Sequence, residues 1–252
     1  MTQSLYIISG ASRGMGQAMA CQLLSPQHLV IGISRRSSPE LTAEAQSLSA
    51  PLEQWQQDLA QPLAAAQRLE DWLINQPQGR FSQAILINNA GVVTEPGPIN
   101  ETSLQDLSNA IRVGLEACLL LSSAFLRGTA HWGSQRRILN ISSGLGRRAM
   151  AGSAAYCAAK AGMDNLSRAM ALDEAAKPVG ARVVSLAPGV IDTEMQTQLR
   201  SGDPGKFPDQ AVFATLKNSG QLMSPEEAAS KVLRYLARDD FGSTVLADVR
   251  DA

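Results

Sequence analysis

A doubly wound α/β fold built on a parallel sheet is what this sequence predicts, and three features carry that expectation. Short apolar runs recur along the chain with little polar alternation, as in strands covered on both faces. Longer stretches with helical spacing separate them, the alternation that builds parallel βαβ units. A glycine-rich turn, Ser9-Gly10-Ala11-Ser12-Arg13-Gly14-Met15-Gly16, joins the first apolar run to the first helical stretch.

In chain order, the predicted strands are Leu5–Ile8, Leu29–Ile33, Ala84–Ile87, Ile138–Ile141 and Ala181–Leu186. The first predicted helix is Gln17–Leu24. The second is Leu63–Ile74, with Leu63, Leu69 and Leu73 at helical spacing. Leu104–Leu126 is long and strongly apolar, and Ala154–Ala176 follows Ser153 as an N-cap. Pro225–Ala237 opens with Ser224-Pro225-Glu226-Glu227: a cap serine, proline at the first helical position, and acids in the first turn. Ser201–Asp209, rich in Gly, Pro and Asp, reads as an irregular, mobile loop. No linker or repeat divides the 252 residues, so a single domain over 1–252 is expected.

Charge and composition exclude several function classes. The net charge of −1 gives no electrostatic reason to bind nucleic acid or an anionic membrane. No apolar stretch is read as approaching the roughly 18 residues of a membrane span, and the first strand begins too early to leave room for a signal peptide. Cys21, Cys118 and Cys157 are an odd set without metal-ligand spacing; they read as reduced thiols of a cytoplasmic protein. His28 and His131 lie far apart, so neither a metal site nor a histidine-based triad is expected.

A strand, a glycine turn and a helix form a nucleotide-binding arrangement. Glycine lets the backbone approach phosphates, and the helix N-terminus offers free N–H groups and a positive dipole end. The spacing is G-x-x-x-G-x-G rather than the usual dinucleotide G-x-G-x-x-G, and a tight turn with no ligand is the plain alternative. An NAD site places Asp or Glu on the ribose 2′-hydroxyl at the end of the second strand. Here that region reads Ser34-Arg35-Arg36-Ser37, with no acid before Glu40. Arg35, Arg36 and Arg13 suit a 2′-phosphate, which makes NADP(H) the expected cofactor. Each could also be a solvated surface charge.

At this point the residues resemble the short-chain dehydrogenase/reductase superfamily over essentially the whole chain. The glycine turn, Asn88-Asn89-Ala90-Gly91, Ser143, Tyr156, Lys160 and Pro188-Gly189 occur in the family's order, with Ser9 where Thr is usual. The resemblance implies a Rossmann-type sheet of about seven strands. It makes Ser143, Tyr156 and Lys160 the catalytic residues. Tyr156 and Lys160 are four apart on one helix face, where an ammonium lowers a phenol's pKa toward working pH and makes it a usable acid or base. Ser143 orients the carbonyl and Lys160 also binds the nicotinamide ribose. The thirteen-residue spacing to Tyr156 favours Ser143 over Ser142. The same resemblance assigns the cofactor to Gly10, Ser12, Arg13, Gly14, Met15, Gly16, Arg35, Arg36, Asp58, Leu59, Asn89, Ala90 and Gly91. Tyr156, Lys160, Pro188, Gly189, Val190 and Thr193 complete that set, and Asn88 is also placed beside the adenosine.

The segment Pro188-Gly189-Val190-Ile191-Asp192-Thr193-Glu194-Met195-Gln196 resembles the sepiapterin reductase and benzil reductase branch, as do Gln221–Glu227 and Gly242–Val249. That branch reduces ketones and vicinal dicarbonyls with NADPH. Ser143, Leu145, Tyr156, Asp192 and Glu194 are the substrate candidates. The two acids could meet a pterin's amino edge or could simply favour a helix start. The function expected is an NADPH-dependent reductase of a small-molecule carbonyl. A 3-oxoacyl or steroid-type reductase is the alternative, and an NADP(H)-binding regulator is the reading from another class. Gly114 stands where many members carry an asparagine that anchors a proton-relaying water, and Asn109 lies at the wrong helical phase to replace it. A glycine inside a helix needs a reason, either a closely packed neighbour or room for a water held by backbone carbonyls; the second is expected, with a working relay. Leu104–Leu126 and Ala154–Ala176 are apolar on more than one face, and family members pair these helices. A homodimer or homotetramer follows.

Overall fold

The computed structural model describes residues 3–251 as a seven-stranded, all-parallel sheet in the order β3-β2-β1-β4-β5-β6-β7. The strands are β1 (Gln3–Ser9), β2 (His28–Ser34), β3 (Leu52–Gln56), β4 (Phe81–Asn88), β5 (Gln135–Ile141), β6 (Arg182–Ala187) and β7 (Leu246–Asp248). The helices are α1 (Gly14–Leu23), α2 (Pro39–Ser47), α3 (Pro62–Ile74), α4 (Leu104–Ile111), α5 (Ala117–Gly128), α6 (Ala154–Ala175), α7 (Glu194–Arg200), α8 (Gln210–Asn218) and α9 (Pro225–Leu236). The direction of winding reverses between β1 and β4, and the strand ends flanking that point form the crevice in which such sheets bind ligands.

The apolar runs lack alternation because both faces are covered. Tyr6, Ile8, Val30, Ile85, Ile87, Leu139 and Val184 pack under α1, α2 and α9. Their neighbours Leu5, Ile7, Leu29, Ile31, Leu86, Ile138 and Val183 pack under α3, α5 and α6. Successive side chains point to opposite faces, so a strand buried on both sides must be apolar throughout. At the start of α9, Ser224 and Glu227 form the reciprocal cap that the sequence signals.

Three expectations are corrected. The long helix is not continuous: a π-helical turn, Arg112–Glu116, separates α4 from α5. Gly114 is buried in that turn, and a Cβ there would lie 3.0 Å from the Ala159 Cβ of α6. Close packing of α6 is therefore the reason for this glycine. The stretch Leu104–Gly128 is also long and apolar enough, by length and composition, to cross a membrane. In the fold it is a core element, with Leu121, Ala124 and Phe125 fully buried. The irregular segment 201–209 between α7 and α8 is pinned by Phe207, which is fully buried and stacks on Phe213 with ring centroids 5.6 Å apart.

Candidate active site

The glycine turn is shaped by contacts that exclude side chains. Gly10 has φ +72°, and a Cβ on it would meet Ala90 Cα and Asn89 Nδ2 at 3.0 Å. A Cβ on Gly16 would overlap the Gly10 carbonyl oxygen. Ser9 fastens the turn to the end of β4: its hydroxyl accepts from the backbone N–H of Asn89 and of Ala90, both at 3.0 Å. Asn89 Nδ2 donates back to the Ser9 and Gly10 carbonyls. The hydroxyl is the part that matters, which is why serine serves where threonine is usual. Beyond the turn, α1 begins with no side-chain cap and no acid in its first turn. Its free N–H groups and positive end fit a dinucleotide pyrophosphate.

The other cofactor candidates fall into distinct groups. Arg35 and Arg36 are exposed past the end of β2 and enter none of the ion pairs among the described residues. Ser12 and Met15 lie within the turn, with Met15 buried against the core. Arg13 is an exposed partner of Glu194 at the start of α7. Asp58 is exposed and caps the Ala60 N–H at 3.0 Å, whereas the Leu59 side chain is buried, leaving its backbone available. Asn88 does not face the crevice: it is 2% exposed and donates to Ser122 Oγ and Asn140 Oδ1 inside the core. Ala90 and Gly91 are half-buried beyond β4, and a Cβ on Gly91 would lie 3.6 Å from Lys160 Nζ. Past β6, Gly189 has φ +87°, and Val190 and Thr193 follow toward α7. A Cβ on Gly14 would touch Thr193 Cγ2 at 3.6 Å, so the glycine turn and the approach to α7 form the two lips of one crevice.

Ser143, Tyr156 and Lys160 meet beside that crevice. Ser143 leads off the end of β5 into a short turn, Gly144–Gly146, where its hydroxyl accepts from the Leu145 N–H at 3.2 Å. Ser142 is instead buried and donates to Asp164 Oδ1 at 2.6 Å. Tyr156 sits half-buried in the first turn of α6, near enough to Ser143 for its hydroxyl to influence the phenol. Lys160, one turn on and 3% exposed, donates to the Ile141 carbonyl at 2.6 Å and lies 5.7 Å from the Tyr156 ring centroid. Burial pushes the Tyr156 pKa up, and the Ser143 hydroxyl draws it partly back. The expected lowering by Lys160 is not among these influences, and the net shift is upward, set by desolvation. Burial likewise pulls Lys160 down to about 8, against the opposing influence of Cys118 and Asp164.

On the substrate side, both candidate acids are already engaged. Asp192 pairs with Arg200 at 3.4 Å and with Lys217, ties that hold α7 and α8 together; Glu194 pairs with Arg13. Neither is a free carboxylate for a cationic substrate group. Under α7 and α8 lies an apolar cluster of Met150, Leu199 and Phe207, against which the substrate candidate Leu145 packs together with Cys157 and Phe213. Cys157, which packs against this cluster, follows Tyr156 directly on α6. Gln196, one helical turn before Leu199, is 9% exposed with its Oε1 lacking a partner.

Fold and site together define a Rossmann-type oxidoreductase with a Ser–Tyr–Lys set. The family model described as short chain dehydrogenase matches residues 5–204, and the chain belongs to that family. It is 34% identical over 235 residues to a benzil reductase ((S)-benzoin forming) from Bacillus cereus, covering 93% of this chain and 94% of that protein. It is 32% identical over 265 residues to the sepiapterin reductase of Mus musculus, covering 98% and 97%. A crystal structure from Agrobacterium tumefaciens with bound NADP superposes with a TM-score of 0.79 at 25% identity, covering 99% of this chain and 95% of that one.

Proposed function

We propose that the protein is an NADPH-dependent carbonyl reductase acting on ketones and vicinal dicarbonyls. The observation that carries this reading is the Ser143–Tyr156–Lys160 set beside the glycine crevice. The carbonyl oxygen sits between the Ser143 hydroxyl and the Tyr156 phenol. When bound, NADPH supplies hydride to the carbonyl carbon. Tyr156 gives its proton to the oxygen as negative charge grows there, and Ser143 orients and polarises the same atom. The Lys160 ammonium supports the phenolate left behind and reaches the nicotinamide ribose. The apolar cluster under α7 and α8 excludes water from this step and suits an aryl or alkyl substituent.

Arg35 and Arg36, unpaired where an NAD enzyme needs an acid, support NADP(H). Solved relatives of this fold carry NADP or NAD, so the choice rests on these side chains. The whole chain acts as one NADP(H)-binding domain, in the cytoplasm. Leu104, Leu119 and Leu172 are exposed on α4, α5 and α6 at 85%, 45% and 75%, a surface that supports pairing of two copies through these helices. Gly114 is the one feature that favours the regulator reading, since its contact with Ala159 leaves no side chain to anchor a relaying water; the Ser143, Tyr156 and Lys160 set opposes it. NADPH consumption against sepiapterin, benzil, isatin and an acetoacetyl thioester tests the proposal. Turnover of benzil or sepiapterin is expected; activity with the thioester alone would favour the 3-oxoacyl alternative, and activity with none would contradict the reductase.

A further inference from the structure

One buried acid behind the catalytic set joins elements that would otherwise be independent. Asp164 is 3% exposed and lies one helical turn beyond Lys160 on α6. Its Oδ1 accepts from Ser142 Oγ, next to Ser143, and from Ser185 Oγ of β6, both at 2.6 Å. Its Oδ2 has no hydrogen-bond donor and faces Arg147 Nε at 3.4 Å as an ion pair. Arg147 stands just past the turn that Ser143 opens and donates to the Ala247 carbonyl of β7 at 2.9 Å. A Cβ on Gly146 would come within 2.9 Å of the same Oδ2, so this turn rests directly on the carboxylate. A core needing only to fill this space would use an apolar residue, since a buried charge is costly unless well paired.

Lys160 shows what the charge does. The groups that face it are Tyr156 and Asp164 from α6, Cys118 from α5 and the Ile141 carbonyl from β5. The Cys118 thiol is pushed up to about 12 and is neutral in the working range, which leaves Asp164 as the full negative charge in that group. Arg147 partly offsets it from the opposite side.

We propose that Asp164 is a positioning residue of the active site, holding the Ser142–Ser143 strand end and the turn after it in register with the substrate carbonyl while its charge keeps the Lys160 ammonium charged in a dry surrounding. This rests on the reductase reading for its kinetic consequence, but not for its electrostatic one.

The test compares Asp164→Asn, Ser142→Ala and Arg147→Gln with the unmodified protein. Asp164→Asn keeps the shape and one acceptor but removes the charge. Its kcat should fall about 10-fold or more, with KM and NADPH affinity little changed and the alkaline limb of the pH profile moved to lower pH. Ser142→Ala should lower kcat without moving that limb. Arg147→Gln leaves the Asp164 charge less opposed and should move the limb upward. The same directions should appear in the ¹³Cε chemical-shift titration of Lys160, which needs no turnover and so separates this proposal from the reductase reading. If Asp164→Asn does not fold, the upward shift predicted for Arg147→Gln and the unmoved limb predicted for Ser142→Ala still decide the matter. An unmoved Lys160 titration in both charge-changing variants, or in Arg147→Gln alone if the other is not recovered, would overturn the proposal.

Discussion

Replacing Gly114 by alanine should destabilise this protein, although helix propensity argues the reverse. In a helix interior alanine is favoured over glycine by up to about 1 kcal/mol. The new Cβ would sit 3.0 Å from Ala159 Cβ, tighter than a relaxed contact. Ala159 cannot rotate away, because its Cβ is fixed to the backbone of α6, a 22-residue helix held to the sheet through the Lys160–Ile141 and Asp164–Ser142 hydrogen bonds. Overpacking of this kind costs about 1–3 kcal/mol, so a net loss near 1 kcal/mol is expected. Ala159→Gly alone should cost about 1 kcal/mol through propensity. In the double variant the clash is gone, and a favourable coupling of about 1–2 kcal/mol should appear. Urea unfolding at one fixed protein concentration gives all three values. Turnover should fall in the single Gly114 variant, since pushing Ala159 also displaces Lys160. Stabilisation by Gly114→Ala, with coupling near zero, would refute the packing explanation.

Arg35→Asp should weaken NADPH binding by about 1.5–3 kcal/mol, the scale of a charged hydrogen bond, and should narrow the preference over NADH; a fluorescence titration with both cofactors checks it. Lys160, lowered from 10.5 to about 8, is charged below that value, so kcat/KM for reduction should be level below about pH 8 and fall above it. The penalty for burying its charge is fully present below about 8 and is relieved as pH rises toward 10.5, so this group makes folding stability increase with pH over that window. Urea midpoints of the unmodified protein minus those of Lys160→Met should show that rise. Gln196→Leu should lower kcat/KM for a substrate with a second polar group about 10-fold, the scale of a hydrogen bond to a buried partner, while leaving a simple aryl ketone unchanged. Equal effects on both would count against Gln196 as a substrate contact.

The central strands were legible because burial on both faces leaves a continuous apolar run. The edges were not: β3 reads Leu52-Glu53-Gln54-Trp55-Gln56 with only Trp55 buried, and β7 has three residues. The glycine turn and the Ser143, Tyr156 and Lys160 positions were readable because their chemistry demands fixed residue types at fixed spacing. What surrounds them was not. Asp192 and Glu194 leave two readings open in the sequence, and only the fold brings Arg200 and Lys217 to the first and Arg13 to the second. The π turn left no mark beyond Gly114, and α7 and α8 are too short for a periodic signal. The Tyr156 pKa direction also depends on burial, which four-residue spacing to a lysine does not reveal.

The most direct measurement is NADPH consumption with an aromatic vicinal diketone by the unmodified protein and by Tyr156→Phe, with cofactor affinity measured in both. Turnover by the unmodified protein is predicted, together with a loss of about 10²–10⁴ in kcat for the variant and unchanged NADPH binding. A variant that keeps more than about a tenth of the normal kcat would contradict Tyr156 as the proton donor, and with it the account of this site.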